Sequence, residues 1–297
     1  MTVAEAAKGL GMTRRHHHNA IRMGRQYMKQ PDRLERALQR NKTVRRQYNL
    51  FKTFSNWWIY YAEKMGLLTA DELVFATRTG VSIRVPKQSY PEFKSIFLRQ
   101  HYLEGLALPM PERPTIIDVG ANVGFFSLFA ASTWGGEVFA YEPVQANYEE
   151  LVKNVKANTQ VIIKCRRMAV SGVSGAVEIF SDPGTTLTTT ATICPWERKT
   201  RKAEKVKAVT LHDIFEQERL GTVDLLKMDC EGSEFSILYN TSPETLRRIS
   251  RMAIEVHGTS DVDNHNSHAL HEFLTAAGFA VRRNKRGTYL WARREDR

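Results

Sequence analysis

The sequence predicts an α/β fold: a mostly parallel sheet covered by helices, closed by an antiparallel strand and preceded by a basic helical segment. Three observations predict it. From Thr115 onward, short apolar runs alternate with amphipathic stretches, the grammar of strands joined by crossover helices. The stretch from Leu108 to Pro114 has three prolines in seven residues, which excludes regular helix and marks a linker. The charge is also divided unevenly: residues 1–64 hold 14 of the 43 Lys/Arg and 4 of the 32 Asp/Glu, a net of +10, while the remainder is close to neutral at +1.

Composition narrows the class. With 42% hydrophobic and 25% charged residues in 297, the chain is globular rather than disordered or fibrous. Its three cysteines, Cys165, Cys194 and Cys230, do not form a disulfide framework, so a reducing compartment is expected. The N-terminus lacks the apolar core of a signal peptide. No apolar run approaches the roughly 20 residues that cross a bilayer; the nearest, Phe54 to Leu68, is interrupted by Glu63 and Lys64. The expectation is a cytoplasmic protein able to sit peripherally at a membrane.

Three segments follow, 1–70, 71–110 and 111–297. The first reads as helices, with Arg33–Tyr48 free of Gly and Pro. Consecutive His16, His17 and His18 cannot share a helix face, which argues against a metal site there. The basic segment suits an anionic partner, and its neighbouring run Trp57-Trp58-Ile59-Tyr60-Tyr61 suits an anionic lipid surface; a solvated helical face is the plainer alternative. Residues 72–86 read as two strands around Thr79-Gly80, and Tyr90–Leu106 as one helix.

In the third segment, Thr115–Val119 is a buried strand, Phe125–Thr133 a helix, Glu137–Tyr141 a strand, Gln145–Asn158 a helix and Val161–Cys165 a strand. A Thr-rich, basic insertion occupies residues 171–205. Then come strand Val223–Met228, helices Glu234–Tyr239 and Pro243–Ile249, strand Met252–Val256 and helix His265–Ala277. Phe279–Arg283 and Thr288–Ala292 form a closing hairpin. In such sheets ligands bind beyond the carboxyl ends of the strands, which singles out three strand ends.

In IIDVGANVGFFS, Ile116 to Ser127, a strand ends in Asp118, Gly120-Ala121-Asn122 turns the chain, and Gly124 opens a helix. The G-x-x-x-G spacing departs from the dinucleotide fingerprint at Asn122. Glu142 ends the next strand, where a carboxylate can accept both hydroxyls of a ribose. In VDLLKMDCEGSEFSIL, Val223 to Leu238, Lys227, Asp229 and Glu231 alternate and would share a direction if the strand stays extended. Ionisable groups at a buried strand end are costly without a purpose. In MAIEVHG, Met252 to Gly258, Glu255 and His257 alternate, and an imidazole can serve as base or metal ligand.

These blocks, with AYEPVQANYEELVKNVKAN from Ala140 to Asn158, resemble the FkbM-family methyltransferases over roughly residues 90–292. The resemblance implies a seven-stranded Rossmann-like fold, S-adenosylmethionine as cofactor, and typically O-methylation of a sugar, glycan or natural-product hydroxyl. It implies that Asp118, Gly120, Ala121, Asn122 and Gly124 hold the methionine part, that Glu142 takes the ribose, and that Met168 and Ala169 flank the adenine. Asp229, Glu231 and His257 would face the methyl group and acceptor, with Lys227 and Glu255 beside them and Asp229 also near the cofactor. A side chain at Gly120 is expected to fill space that the cofactor needs. Mg²⁺ or Mn²⁺ held by Asp229, Glu231, Glu255 or His257 is an open possibility, since no ligand-spacing motif decides it. Thr210-Leu211-His212-Asp213, where similar proteins read T-L-D-x, is expected to be structural. RNA methylation through the basic segment and a non-catalytic binding module are the alternatives. The absence of an N-P-P-Y motif disfavours adenine amino methylation, and the position of Cys194-Pro195 disfavours a cytosine-C5 enzyme.

Overall fold

The computed structural model describes residues 41–181, 187, 202–258 and 262–295. The three histidines, the first half of the expected N-terminal helices, Cys194 and most of the Thr-rich insertion lie outside them. The chain divides into two compact units, Met1–Arg99 and Gln100–Arg297, so the 71–110 segment is shared between them.

In the first unit, α1 (Lys42–Thr53) starts at Asn41, whose side chain accepts the N–H groups of Thr43 and Val44. Its last turn leads to Phe54, which is fully buried among Phe75, Phe93 and Phe97. Helix α2 (Trp58–Lys64) carries the aromatic run; Tyr61 stacks on Phe51, and Trp57 meets both rings edge-on. Strands β1 (Glu72–Ala76) and β2 (Ser82–Pro86) form the expected antiparallel hairpin, with Val74 opposite Arg84. The helix expected over Tyr90–Leu106 is broken. It begins as α3 (Tyr90–Phe93), widens to a π-helix over Lys94–Arg99 and stops where Gln100 turns left-handed at φ 56°. A separate 3-10 turn, His101–Leu103, follows.

The second unit is built on seven strands. They are β3 (Thr115–Val119), β4 (Glu137–Tyr141), β5 (Ile162–Arg166), β9 (Leu225–Met228), β10 (Arg251–Glu255), β11 (Phe279–Arg283) and β12 (Tyr289–Arg294), in the order β11-β12-β10-β9-β3-β4-β5. Pairings β3–β4, β4–β5, β3–β9 and β9–β10 are parallel. The closing strand does not extend an edge: β12 inserts antiparallel between β10 and β11. The connecting helices are α4 (Phe125–Trp134), α5 (Gln145–Lys156), α6 (Leu211–Gln217), α7 (Ser233–Tyr239), α8 (Pro243–Arg247) and α9 (Ser267–Ala276). The sheet's residues Ile117, Leu226, Met228 and Ile254 are fully buried, as are Phe215, Phe235 and Leu270 of the helices packed on it. Each such side chain contributes roughly 1.5–3 kcal/mol.

The described residues at either end of the insertion belong to a second sheet. Strands β6 (Ala169–Val170), β7 (Gly175–Ser181) and β8 (Lys202–Val209) form a second sheet in the order β6-β8-β7, with Val206 and Ala208 turned inward. The segment Thr210 to Asp213 is structural: Thr210 and Asp213 form a capping box that starts α6.

Candidate active site at the carboxyl edge of the sheet

The first turn follows from β3. Asp118, with no exposed surface, accepts the Ser127 hydroxyl at 2.7 Å and pairs with Lys227 at 3.0 Å. Lys227 is almost equally buried and donates to the Gly120 carbonyl at 2.8 Å. These two candidates thus brace the turn from beneath, and the Lys227 ammonium also lies over the Tyr102 ring. The N–H groups of Gly120 and Ala121 both donate to the Tyr141 carbonyl, tying the turn to β4.

Gly120 and Gly124 both have positive φ, +72° and +90°, a region open to glycine at little cost. Both are also close to a neighbour, a movable side chain at Gly124 and fixed backbone at Gly120. A β-carbon on Gly124 would meet Leu151 of α5 at 2.5 Å, and one on Gly120 would meet the Asp229 carbonyl oxygen at 1.8 Å. The expectation for Gly120 is corrected accordingly: the neighbour that excludes a side chain is the protein's own backbone.

Glu142 closes β4 and is 4% exposed. It accepts the Asn122 N–H at 2.8 Å and the Val144 N–H at 2.9 Å, and Asn147 approaches at 3.4 Å. Burial pushes its carboxyl up to about 7, against the pull of those hydrogen bonds. Across the same turn, the Asn122 side-chain oxygen is buried with no hydrogen-bond partner among the described residues, an arrangement that a native fold rarely tolerates without a ligand or water. Met168 packs against the main core, while Ala169 is buried beside Val144 and Ala208.

The second cluster brings together Asp229, Glu231, Glu255 and His257. The extended form expected through Glu231 does not persist. Strand β9 ends at Met228, and Glu231 sits in a turn at φ 52°. Asp229 and Glu231 converge nonetheless: His257 Nε2 lies 3.8 Å from Asp229 Oδ1 and 3.7 Å from Glu231 Oε2. Burial pushes Glu231 up to about 7. Burial alone would pull His257 down, but its Glu234 hydrogen bond and the charges of Glu234, Glu231 and Asp229 outweigh this and hold it up at about 10.

Three further residues complete the site. Glu234, fully buried on α7, accepts the His257 backbone N–H at 2.7 Å, engages ring Nδ1 at 2.9 Å and accepts the Gly232 N–H at 2.8 Å. Tyr102 places its hydroxyl 2.6 Å from Asp229 Oδ2 and 2.9 Å from Glu255 Oε2, so one proton serves two carboxylates. Burial first, then the charges of Asp229 and Glu255, raise Tyr102 far above a free phenol. Tyr289 donates to Glu255 at 2.8 Å. The signal for Glu234 was its place three residues after Glu231 at the opening of a helix; Tyr102 and Tyr289 carry no local signal.

Residues 118–281, more than half of the chain, match the model of the methyltransferase FkbM domain. Methyltransferase sdnD of Sordaria araneosa is 24% identical over 223 residues, 63% of this chain and 84% of that protein. AMB antimetabolite synthetase AmbE of Pseudomonas aeruginosa is 22% identical over 231 residues, 64% of this chain but 10% of that protein. Among solved structures, precorrin-6y C5,15-methyltransferase from Geobacter metallireducens aligns with a TM-score of 0.38 at 14% identity, over 67% of this chain and 88% of that one. The match begins at Asp118 under the first turn and runs through Glu142, the Asp229–Glu234 turn and His257; the chain belongs to the FkbM methyltransferase family.

Proposed function

We propose that the protein is an S-adenosylmethionine-dependent O-methyltransferase acting on a hydroxyl-bearing small molecule or glycan. The observation that carries this reading is the contact between the two strand-end turns. Gly120 of the glycine turn lies against the Asp229 backbone, so the cofactor candidates adjoin the cluster that can handle a proton. The residues fit the cofactor: the buried, unpartnered Asn122 oxygen offers an acceptor, and Glu142 stands at the strand end that suits a ribose. On this reading the Gly120–Gly124 turn and Asn122 hold the methionine part, Glu142 the ribose, and Met168–Ala169 the adenine edge. The cofactor supplies an activated methyl group and a good leaving group.

What remains for the chain is to align the acceptor and take its proton. Glu231 is the better placed base, because His257 is held in its charged form by three carboxylates. Asp118 and Lys227 set the turn rather than touch the acceptor. Four carboxylates, Asp229, Glu231, Glu234 and Glu255, gather around this cluster, a field that repels a polyanion and favours a neutral acceptor over RNA. The deciding experiment is calorimetry with S-adenosylmethionine, followed by labelled methyl transfer into fractionated extract and mass spectrometry of the product. Binding lost in Glu142→Ala, and transfer lost in Glu231→Gln with binding kept, support the reading. A purified protein that binds no cofactor overturns it.

A further inference from the structure

We propose that Asp229, Glu231 and Nε2 of His257 form a binding site for one divalent cation of the Mg²⁺/Mn²⁺ class. One donor atom from each residue can be chosen so that all lie within 4.8 Å of one another. The separations from Nε2, 3.8 and 3.7 Å, are too long for direct hydrogen bonds. They lie between the roughly 3 Å of neighbouring ligands and the about 4 Å of opposite ones around an ion bound at about 2.1 Å, so the three donors need to close by less than about 1 Å to share one ion.

The aim of the donors supports this independently of their charge. Ring nitrogen Nδ1 is engaged by Glu234, a carboxylate with no exposed surface that also accepts the His257 and Gly232 N–H groups. That engagement fixes the ring and presents Nε2 to Asp229 and Glu231, as in carboxylate–histidine–metal arrangements; the ion binds in exchange for the Nε2 proton that the carboxylates otherwise retain. Asp229 is oriented in the same way: Tyr102 occupies Oδ2, and Oδ1 faces the imidazole. The buried cation Lys227 pairs with Asp118 and donates to the Gly120 carbonyl. Two carboxylates and one imidazole suit oxygen-preferring ions rather than thiophilic ones. The cation's role, to lower the acceptor hydroxyl's pKa in place of Glu231 acting as a free base, rests on the proposed function; its binding does not.

The test is Mn²⁺ binding to the full chain, read by loss of the free-ion electron paramagnetic resonance signal, with Mg²⁺ as competitor. One Mn²⁺ per chain is expected. Asp229→Asn and Glu231→Gln should each weaken it at least tenfold, and Glu234→Gln by about 10–100-fold through the misoriented ring, all with wild-type circular dichroism. A wild-type chain that leaves about 1 mM Mn²⁺ free, or a folded Glu231→Gln chain that binds it equally well, overturns the site. Cofactor calorimetry in chelator runs separately. Cofactor binding without Mn²⁺ binding rejects the cation alone, and Mn²⁺ binding without cofactor binding rejects the methyl-transfer reading alone.

Discussion

Gly120 and Asp229 meet backbone to backbone: a β-carbon on the first would stand 1.8 Å from the carbonyl oxygen of the second. Gly120→Ala therefore forces two strand ends apart, and it does so at a positive φ that alanine adopts poorly. A loss of about 2 kcal/mol or more is expected, together with weaker cofactor binding. Urea titration checks the first, and an unchanged midpoint would contradict the contact.

Cofactor affinity should depend on pH through Glu142. Its carboxyl is raised to about 7, chiefly by burial. Above that pH the ionised group accepts hydroxyl donors; below it the bound proton takes up acceptor capacity. Affinity should hold above about pH 7 and fall as pH drops through it, by at most about tenfold per unit. Glu142→Gln should bind more weakly at pH 8 and follow a flatter profile. Calorimetry from pH 5.5 to 8.5 checks both, and parallel profiles for the two proteins would remove Glu142 from the ribose position.

Glu234→Ala removes the acceptor of two backbone N–H groups and of the His257 ring. Leaving buried donors unsatisfied costs about 1–3 kcal/mol. The variant should melt lower and lose methyl transfer. Stability equal to the wild type would mean that water replaces the carboxylate.

Cys165 and Cys230 are both predicted to resist alkylation in the native protein. Burial pushes Cys165 up to about 11, and burial followed by the charges of Glu234 and Asp229 raises Cys230 well above a free thiol. Thiolate is the reactive form. Peptide mass spectrometry after iodoacetamide at pH 8 should find both unmodified without denaturant and modified with it.

The basic N-terminal segment can be tested against anionic vesicles by truncation, and the structure places the cut. Removing residues 1–64 would also strip α1 and the fully buried Phe54. Removing residues 1–40, net charge +6, spares them. The shortened chain should sediment less with anionic vesicles at low salt while keeping cofactor affinity. Equal sedimentation would assign the charge to another role.

The main sheet was legible because its strands are buried on both faces and read as continuous apolar runs, such as Thr115–Val119 and Glu137–Tyr141, both found as expected. The second sheet was hidden because β8, Lys-Ala-Glu-Lys-Val-Lys-Ala-Val, buries Val206, Ala208 and Val209 between lysines and reads as charged linker. At the site, the strand-end acids were visible as exceptions to apolar runs. Their partners were not: Tyr102 reaches Asp229 across 127 positions and Glu255 across 153, and no local pattern encodes such a meeting. Asp118 and Lys227 looked like chemistry for the same reason that they are costly to bury, and the structure shows them compensating each other.

The placement of β12 bears on how the molecule comes into being. Among the described residues, strand β11 has no neighbour in the sheet except β12, and Tyr289, the first residue of β12, supplies one of two hydroxyls on Glu255. A chain emerging from the ribosome can assemble β3, β4, β5, β9 and β10, yet the flank of β10 stays bare until residues 289–294 are free of the exit tunnel. Until then the nascent molecule presents an open strand edge, a known route to mispairing. Synthesis of β12 both seals that edge and brings the Tyr289 hydroxyl to the acidic cluster.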